Sequence, residues 1–434
     1  MAARNLALDV LVSIVKDGAY SNLALDEALR STSLSSVDKR FATELVYGTL
    51  THYRLLDFHV SPYFKGRVKP WLRILLLMTL YQMIHLDKIP DHAAVNEAVA
   101  IAKQRGGEFN GKLINGILRN IVKTPRKEPA NIAIATSHPD WLINLWEAQY
   151  GPKQAKAMAV ANNERAKTVI RTNLQKVTRD ELQRLLKVAD VDSEHGALSD
   201  GALVVKKGSV ATLDLHAAGL FYIQDEASQL VAKALAPSRG ASVLDVCAAP
   251  GGKTLHLAEL VGEGGEVIAH DIHEHKIDLI NENAARLGIG NVRASVQDAT
   301  RLADIYEAGS FDYILIDAPC SGLGILKRHP EAKLFKKPED LDAIVQIQAQ
   351  ILAAVAPLLA SGGRLVYSTC TVNRKENDRQ VMRFLAEHPD FKLDEGLPSR
   401  LPQDLANNFE AGMLQLFPQD FATDGFFIAS LLKT

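Results

Sequence analysis

Two cysteines stand in short polar segments that each follow an apolar run. Cys320 lies in DAPCSG (317–322) and Cys370 in YSTCT (367–371). A cysteine thiolate is a strong nucleophile, and nearby cations favour it by lowering the thiol pKa, a task for which Lys327 and Arg328 are candidates. Taken singly, each cysteine can also be interpreted as a small buried apolar residue, and that interpretation suits the third one, Cys247.

A glycine-containing loop precedes both segments. Residues 245–254 read DVCAAPGGKT. A P-loop needs a glycine where Cys247 stands, and the dinucleotide pattern G-x-G-x-x-G is absent. The remaining interpretation is a methyltransferase loop that holds a sulfonium, a ribose and an adenine, so we expect S-adenosylmethionine as the cofactor. The loop residues expected to bind it are Ala249, Pro250, Gly251, Gly252, Lys253, Thr254 and Leu255.

Aspartates are expected at the ends of successive strands around this loop. Asp271 comes nineteen residues after Gly252, a spacing that suits a carboxylate accepting both ribose hydroxyls. Asp298 is expected to meet the adenine amino group, and Asp317 to stand between cofactor and substrate. Any one of them can be interpreted as an ordinary aspartate that caps a helix. Four acids in such positions, with Asp245 as the first, make a binding site the better interpretation.

From about residue 240 the chain alternates between strand and helix patterns. Strands are predicted at 242–246, 266–271, 292–296, 311–317, 364–368 and 426–432, and helices from near Thr254, Glu274, Leu341 and Glu376. This order predicts an α/β, Rossmann-like class I methyltransferase fold with a parallel sheet covered on both faces. Ligands bind such sheets beyond the carboxyl ends of the strands, so we expect both cysteine segments in one cleft.

Two thiols beside a methyl donor suit one kind of chemistry. Carbon 5 of a cytosine is a poor nucleophile, but a thiolate that adds to carbon 6 moves electron density onto carbon 5, which can then take a methyl group. A base afterwards removes the proton from carbon 5, and the thiolate leaves. Methyl transfer to oxygen or nitrogen needs no such covalent activation.

Length and composition bound the alternatives. The chain has 434 residues, 47% of them apolar, and a net charge of −2. At roughly 150 residues per domain this length predicts about three domains. Three cysteines without Cys-x-x-Cys spacing argue against disulfides and zinc, so we expect a reducing, cytoplasmic setting and no metal. The N-terminus lacks the pattern of a secretory signal, and the most apolar stretch, 71–86, is shorter than the ~20 residues of a membrane span.

The first part of the chain differs from the rest in pattern and charge. Residues 1–125 show helical periodicity and carry sixteen Lys and Arg against eleven Asp and Glu. This excess suits contact with a polyanion, although scatter of surface charge explains it as well. We predict an all-helical domain at 1–125, a linker at 126–137, a small α+β domain at 138–228 and the methyltransferase domain at 229–434. In the α+β domain we expect helices at 141–150 and from 152, a strand at 168–173 and a helix at 179–186.

The segments at 245–254, 317–322 and 367–371 resemble the RNA 5-methylcytosine methyltransferases, the NOL1/NOP2/Sun superfamily. The resemblance covers about 140–434, and residues 1–125 look like a NusB-type RNA-binding domain. The shorter segments SHPDWL (137–142), IRTN (170–173), QDEASQL (224–230) and RHPEAK (328–333) also fit. One departure is Leu334, where a tryptophan is expected and a local substrate contact is therefore in doubt.

The resemblance implies a division of labour between the thiols. Cys370 would be the nucleophile and Cys320 would aid product release, with Asp317 beside them. The substrate would be one cytosine of 16S rRNA, naked or partly assembled, flipped out of its stack towards a monomeric enzyme. The alternative is a NusB-like RNA-binding or antitermination protein with an inactive C-terminal half, against which the intact cysteine segments argue.

Overall fold

The computed structural model describes residues 1–64, 66 and 68–434. The chain forms two compact units, which we call the helical unit (Met1–Arg165 with Leu326–Lys337) and the sheet unit (Ala166–Ile325 with Pro338–Thr434). The segment Leu326–Lys337 thus leaves the sheet unit shortly after Cys320, belongs to the helical unit, and returns. The domain boundaries given above remain predictions.

The elements of the described residues are numbered in chain order. The α-helices are α1 (Ala2–Asp17), α2 (Ser21–Arg30), α3 (Ser36–Thr51), α4 (Tyr53–Val60), α5 (Pro70–His85), α6 (Asp91–Lys123), α7 (Ile132–Ala135), α8 (Asp140–Ala161), α9 (Arg179–Val188), α10 (Asp214–Ala217), α11 (Glu226–Leu235), α12 (Gly252–Val261), α13 (Glu274–Leu287), α14 (Ala332–Phe335), α15 (Pro338–Val355), α16 (Asp378–Glu387) and α17 (Leu397–Arg400). The strands are β1 (Thr168–Thr172), β2 (Asp192–His195), β3 (Ala202–Lys207), β4 (Phe221–Ile223), β5 (Ser242–Asp245), β6 (Glu266–Asp271), β7 (Val292–Val296), β8 (Phe311–Asp317), β9 (Leu359–Thr369), β10 (Phe391–Leu393), β11 (Phe409–Glu410), β12 (Met413–Leu416) and β13 (Phe426–Lys433). Short 3₁₀ turns occur at Ser61–Tyr63, Ala299–Asp304, Ala356–Leu358 and Gln403–Asn408.

The helical unit packs around α5, which is the apolar stretch noted in the sequence. Residues 74–82 of this helix are all buried, because neighbouring helices cover it on every side. Helix α6 bends at Gly107, whose φ of 78° lies in the left-handed region that glycine adopts freely. The predicted linker contains α7, whose first turn is capped by the Asn131 side chain accepting from Ala133 N at 2.7 Å.

The sheet unit begins with a small antiparallel sheet of strand order β2-β3-β1-β4. The predicted strand β1 and helix α9 are present, whereas β2, β3 and β4 were not predicted. Strand β2 reads DSEH and β4 has three residues, so neither shows apolar alternation. Helix α11 was also not predicted, and it spans the proposed boundary at residue 228.

The main sheet has the order β11-β12-β13-β9-β8-β5-β6-β7, with β10 paired to β13. Strands β5 to β9 are parallel, as predicted. Strand β13 pairs antiparallel with β9, so the sheet is mixed, and the short strands β10 to β12 were not predicted. Strand order reverses between β5 and β8, and the loops that follow β5, β8 and β9 therefore lie side by side.

Helix α15 covers one face of this sheet. Within the described residues, Pro338–Leu358 is the one helical stretch with the length and hydropathy of a membrane span. Its residues Ile351, Leu352 and Val355 are buried in the apolar cluster that includes Phe311 and the β9 side chains. A core helix of a sheet protein has the same composition, so this stretch carries no argument for a membrane.

Candidate active site

The two cysteine segments follow adjacent parallel strands. Asp317 at the end of β8 is paired in register with Ser368 near the end of β9. The chain beyond each strand brings the Sγ atoms of Cys320 and Cys370 to 3.2 Å, and both residues are partly exposed free thiols. The strand geometry thus places both candidate sulfur atoms at one point of the carboxyl edge of the sheet.

Backbone hydrogen bonds between three segments of the chain hold the two cysteine loops together. Gly324 N donates to Cys370 O at 3.0 Å, and Gly324 O accepts from Gly425 N at 2.8 Å. A Cβ atom on residue 324 would lie 2.0 Å from Gly425 O, so only glycine fits there. The loops after β8 and β9 are therefore tied to each other and to the start of β13.

An ion pair joins the cofactor loop to the thiol loops. Lys253 Nζ lies 2.6 Å from Asp317 Oδ2, and Asp317 Oδ1 accepts from Ser368 Oγ at 2.9 Å. Burial lowers the pKa of Lys253, but the Asp317 carboxylate, and after it the charges of Cys370 and Asp245, outweigh burial and raise it. Lys253 is therefore a cation at neutral pH, placed where the cofactor loop meets the end of β8. Lys327 and Arg328, the candidates named from the sequence, belong to the helical unit, and their part in the chemistry stays a prediction.

The surroundings of Cys320 shift the pKa of its thiol. The hydrogen bond to Cys370, then burial and the charges of Cys370 and Glu376, raise the pKa of Cys320 well above its usual range. Cys320 therefore keeps its proton at neutral pH. Burial raises the pKa of Cys247 as well, which agrees with the interpretation of that residue as a small buried apolar group.

The cofactor loop lies between β5 and α12, with a cis peptide between Ala249 and Pro250. Gly251 has a φ of 100°, which favours glycine, and a Cβ on Gly252 would lie 2.8 Å from the Tyr222 ring, so the close approach of that side chain favours glycine there. Leu255 is fully buried in the apolar core beneath the loop.

An acidic residue supports this loop from below. Thr254 Oγ1 donates to Asp245 Oδ2 at 2.7 Å, whereas the other carboxylate oxygen of Asp245 is buried without a partner. Burial raises the pKa of Asp245 to about 7, against the opposing effect of Thr254. A buried polar atom without a partner is costly, so Asp245 Oδ1 marks a place for a hydrogen-bond donor from outside the chain.

The other two predicted aspartates differ in their surroundings. Asp271, at the end of β6, is nearly buried; its Oδ1 accepts from His273 N at 3.2 Å and lies 3.5 Å from Lys276 Nζ. Asp298 accepts from Thr300 N and Thr300 Oγ1 at 2.9 and 2.7 Å, and these bonds lower its pKa. Asp298 thus caps a 3₁₀ turn, which is the ordinary role considered above, and its predicted adenine contact remains untested.

Sequence reasoning missed the residue that anchors the cofactor loop. Arg171 of β1 is buried and donates from Nη1 to Gly252 O at 2.7 Å and to Gln224 Oε1 at 2.9 Å. Its Nη2 pairs with Glu259 of α12 at 2.8 Å. The segments IRTN and QDEASQL, noted only for their resemblance, therefore contribute a brace for this loop. An arginine within an apolar strand was the available signal.

The RHPEAK segment lies in the helical unit. Lys333 is buried and donates from Nζ to Thr51 O at 2.8 Å and to Asn163 Oδ1 at 2.9 Å. Glu331 accepts from Ser21 N and Oγ at 3.2 and 2.7 Å. Leu334 packs against the apolar core of the helices, so the residue that departs from the expected tryptophan serves this packing. Among the residues described, no three His, Cys, Asp or Glu side chains form a metal-binding group.

Fold and site together define the class of protein. A mixed sheet with five parallel strands, β5 to β9, that carries a glycine-containing loop after the first of them and helices on its faces is a Rossmann-like methyltransferase core. Residues 232–432 match the family described as 16S rRNA methyltransferase RsmB/F, residues 1–123 the NusB family, and residues 138–211 the ferredoxin-like domain of RsmF/B-like methyltransferases.

Relatives of known name extend over the whole chain. The chain is 42% identical to a probable ribosomal RNA small subunit methyltransferase B of Bacillus subtilis, covering 100% of this chain and 99% of the relative. It is 34% identical to the ribosomal RNA small subunit methyltransferase B of Vibrio vulnificus, covering 100% of each. The chain therefore belongs to the ribosomal RNA small subunit methyltransferase B family, and the family resemblance inferred from the sequence is confirmed.

Solved structures agree with this assignment. A protein called PH0851 superposes with a TM-score of 0.82 at 25% identity, covering 99% of this chain and 98% of that one. NSun6 from Pyrococcus horikoshii, solved with SFG, gives a TM-score of 0.60 at 23% identity over 68% of this chain and 98% of its own. The second likeness concerns the fold alone.

Proposed function

We propose that the chain methylates carbon 5 of one cytosine in 16S rRNA, with S-adenosylmethionine as the methyl donor and Cys370 as a transient covalent nucleophile. The observation that carries the proposal is the pair of sulfur atoms 3.2 Å apart at the ends of β8 and β9, next to the cofactor loop. The names of the relatives support the rRNA substrate. A methyltransferase acting on oxygen or nitrogen has no use for two such thiols.

The residues around the loop fit this cofactor. Asp245 offers an unpartnered oxygen, Gly251 and Gly252 allow close backbone approach, and Asp271 and Asp317 provide carboxylates at two strand ends. These residues would hold the cofactor together with the rest of the predicted loop set and Asp298. When bound, S-adenosylmethionine supplies a methyl group on a positively charged sulfur, which a carbon nucleophile can take.

The chain's own residues account for the steps at the cytosine. The Cys370 sulfur bonds to carbon 6, and the electron pair of the carbon 5–carbon 6 double bond becomes available at carbon 5. Lys253, fixed by Asp317, stabilises the thiolate before this attack. After methylation, the proton on carbon 5 is removed, its bonding electrons restore the double bond, and the sulfur leaves carbon 6 as a thiolate.

The coupling of the thiols suits Cys320 to the release step. Its pKa is raised mainly by the hydrogen bond with Cys370, together with burial and the Cys370 charge. Once the Cys370 sulfur is bonded to carbon it carries no charge, so its hydrogen bond and its charge no longer raise the pKa of Cys320, and Cys320 can lose its proton to water. The resulting thiolate lies next to the adduct, where it can accept the proton from carbon 5.

We assign RNA binding to the helical unit, whose NusB match and excess of basic residues support contacts to phosphates. We further expect a monomeric enzyme that acts in the cytoplasm. The test is to incubate the protein with cofactor labelled in its methyl group and with naked 16S rRNA, and to map the labelled nucleotide. Label on carbon 5 of a single cytosine is expected. Label on another atom would contradict this proposal. Specific rRNA binding without methylation would favour the alternative, an RNA-binding protein with an inactive C-terminal half.

A further inference from the structure

Behind the two thiols lies a carboxylate that the proposed reaction does not use. Glu376 is fully buried, and four donors surround its carboxylate. Its Oε2 accepts from Ser321 N at 2.8 Å and from Gln348 Nε2 at 3.2 Å. Its Oε1 accepts from Ser321 Oγ at 2.5 Å and from Asn373 Nδ2 at 2.9 Å. These four donors are neutral groups, and their hydrogen bonds hold both oxygens of the carboxyl group in place.

The partners of Glu376 come from both thiol loops. Ser321 directly follows Cys320, and Asn373 comes three residues after Cys370. Gln348 of α15 donates from the same Nε2 to Pro319 O at 2.9 Å, which adds a second hold on the loop after β8. Glu376 therefore bridges the segments that carry the two sulfur atoms.

The hydroxyl groups next to the cysteines extend this bridge. Ser321 Oγ and Thr371 Oγ1 lie 2.8 Å apart, so the residues that directly follow Cys320 and Cys370 are hydrogen-bonded to each other. The Ser321 hydroxyl has one proton; where it donates this proton to Glu376 Oε1, it accepts the proton of the Thr371 hydroxyl. The carboxylate thus fixes the direction of the hydrogen bond between the two loops.

We propose that Glu376 is a positioning residue that holds the loop of Cys320 against the loop of Cys370, so that the release thiol stays beside the sulfur that forms the adduct. The inference rests on the proposed function and deepens it. A bridge of this kind serves the step that needs both thiols, whereas attack on carbon 6 needs Cys370 alone. Loss of Glu376 is therefore expected to slow release more than attack.

The first experiment measures the thiol pair without RNA. Diamide oxidises two neighbouring thiols to a disulfide and is itself reduced to the hydrazine, taking up both electrons and both protons. In the wild type we expect rapid formation of the Cys320–Cys370 disulfide, which is measured over time by peptide mapping. Glu376→Ala is expected to slow it at least tenfold, and Glu376→Gln, which keeps one acceptor oxygen, to give an intermediate rate. Alkylation of Cys247 in the unfolded protein serves as the internal standard.

The second experiment follows the reaction with 16S rRNA. Glu376→Ala is expected to accumulate a denaturation-resistant protein–RNA adduct and to lower kcat at least tenfold, with the KM for S-adenosylmethionine changed less than twofold. The matched control is Glu387→Ala on α16, an exposed carboxylate paired with Arg383 at 3.2 Å, which should behave as wild type in both experiments.

The two experiments separate the possible failures. A disulfide rate equal to that of the wild type in a folded Glu376→Ala protein would overturn the inference, whatever the activity. Slower oxidation of Glu376→Ala than of the wild type, together with a wild type that methylates no cytosine, would support the positioning role of Glu376 and count against the proposed function. Where Glu376→Ala does not fold, Ser321→Ala removes one hydroxyl bond to the carboxylate, and the same disulfide rate decides the question.

Discussion

Two lysines, the half-buried Lys253 of the sheet unit and the buried Lys333 of the helical unit, differ in the partners that hold them. Lys253 in the sheet unit faces the Asp317 carboxylate at 2.6 Å, and its pKa is raised. Lys333 in the helical unit donates to the uncharged acceptors Thr51 O and Asn163 Oδ1, and burial lowers its pKa to about 7. Desolvation acts on both ammonium groups, but only the first has a charge opposite it.

This difference in partners suits Lys253 to the proposed chemistry and Lys333 to packing within the helical unit. A lysine that stays cationic near a thiol stabilises the thiolate form of that thiol. A lysine whose pKa is about 7 serves instead as a hydrogen-bond donor for backbone and amide oxygens. The sheet unit thus holds a fixed charge at its candidate active site. The helical unit holds a polar group that fastens the segment Leu326–Lys337 to its helices.

The largest expected effect comes from the proposed nucleophile, Cys370. Cys370→Ser should lower methyl transfer by roughly 10³-fold or more, because a serine hydroxyl does not ionise at neutral pH and cannot add to carbon 6. Cofactor binding, measured by calorimetry, should stay within about twofold of wild type. Methylation by this variant at the wild-type rate would show that Cys370 forms no covalent bond in the reaction, and the charge of Lys253 would then have no thiolate to stabilise.

The second effect concerns the thiol that keeps its proton. Cys320→Ala should leave attack by Cys370 intact and slow release, so that a protein–RNA adduct persists on a denaturing gel while turnover falls roughly 10- to 100-fold. The double variant Cys320→Ala with Cys370→Ser is the control, since it should form no adduct. Unchanged turnover without an adduct band would remove Cys320 from the reaction.

Exchange of the two lysines for methionine tests the comparison directly. Lys253→Met should lower methyl transfer by roughly 10²-fold, because Asp317 loses its ion pair and the thiolate its nearby cation. Lys333→Met should change the chemical step far less and act on stability instead. Single-turnover rates with saturating cofactor measure the first effect. Equal losses of the single-turnover methylation rate in both variants would show that Lys253 has no greater role in the chemical step than Lys333.

The sequence predicted which candidate residues lie close together better than it predicted the residues that hold them in place. Cys320, Cys370 and Asp317 could be placed together because strand and helix alternation fixes where parallel strands end. The partners of these residues could not be predicted, since Arg171 and Gly252 are 81 residues apart and Ser321 and Glu376 are 55 apart, and no local pattern encodes such contacts. The short polar strand β2 was missed for a related reason, because only its pairing with β3 makes it a strand.

The smallest effect expected is a pH dependence of stability in the helical unit. The pKa of Lys333 is about 7 in the folded protein, against an ordinary value of 10.5. Between these values the unfolded chain binds a proton that the folded chain does not, so the free energy of unfolding should rise with pH, by up to about 1.4 kcal/mol per unit. Below about pH 7 both states are protonated and this contribution is flat.

The chain offers a probe for this measurement. All three tryptophans, Trp71, Trp141 and Trp146, lie within residues 1–165, so their fluorescence reports urea unfolding of the helical unit alone. The slope between pH 7 and 9 should disappear in Lys333→Met, which leaves Thr51 O and Asn163 Oδ1 unpaired and should cost about 1–3 kcal/mol at pH 9. At pH 6 the variant should lose less, because it also removes a buried charge. The same slope in both proteins would mean that Lys333 stays charged in the folded state, and the contrast with Lys253 would then reduce to a difference in partners.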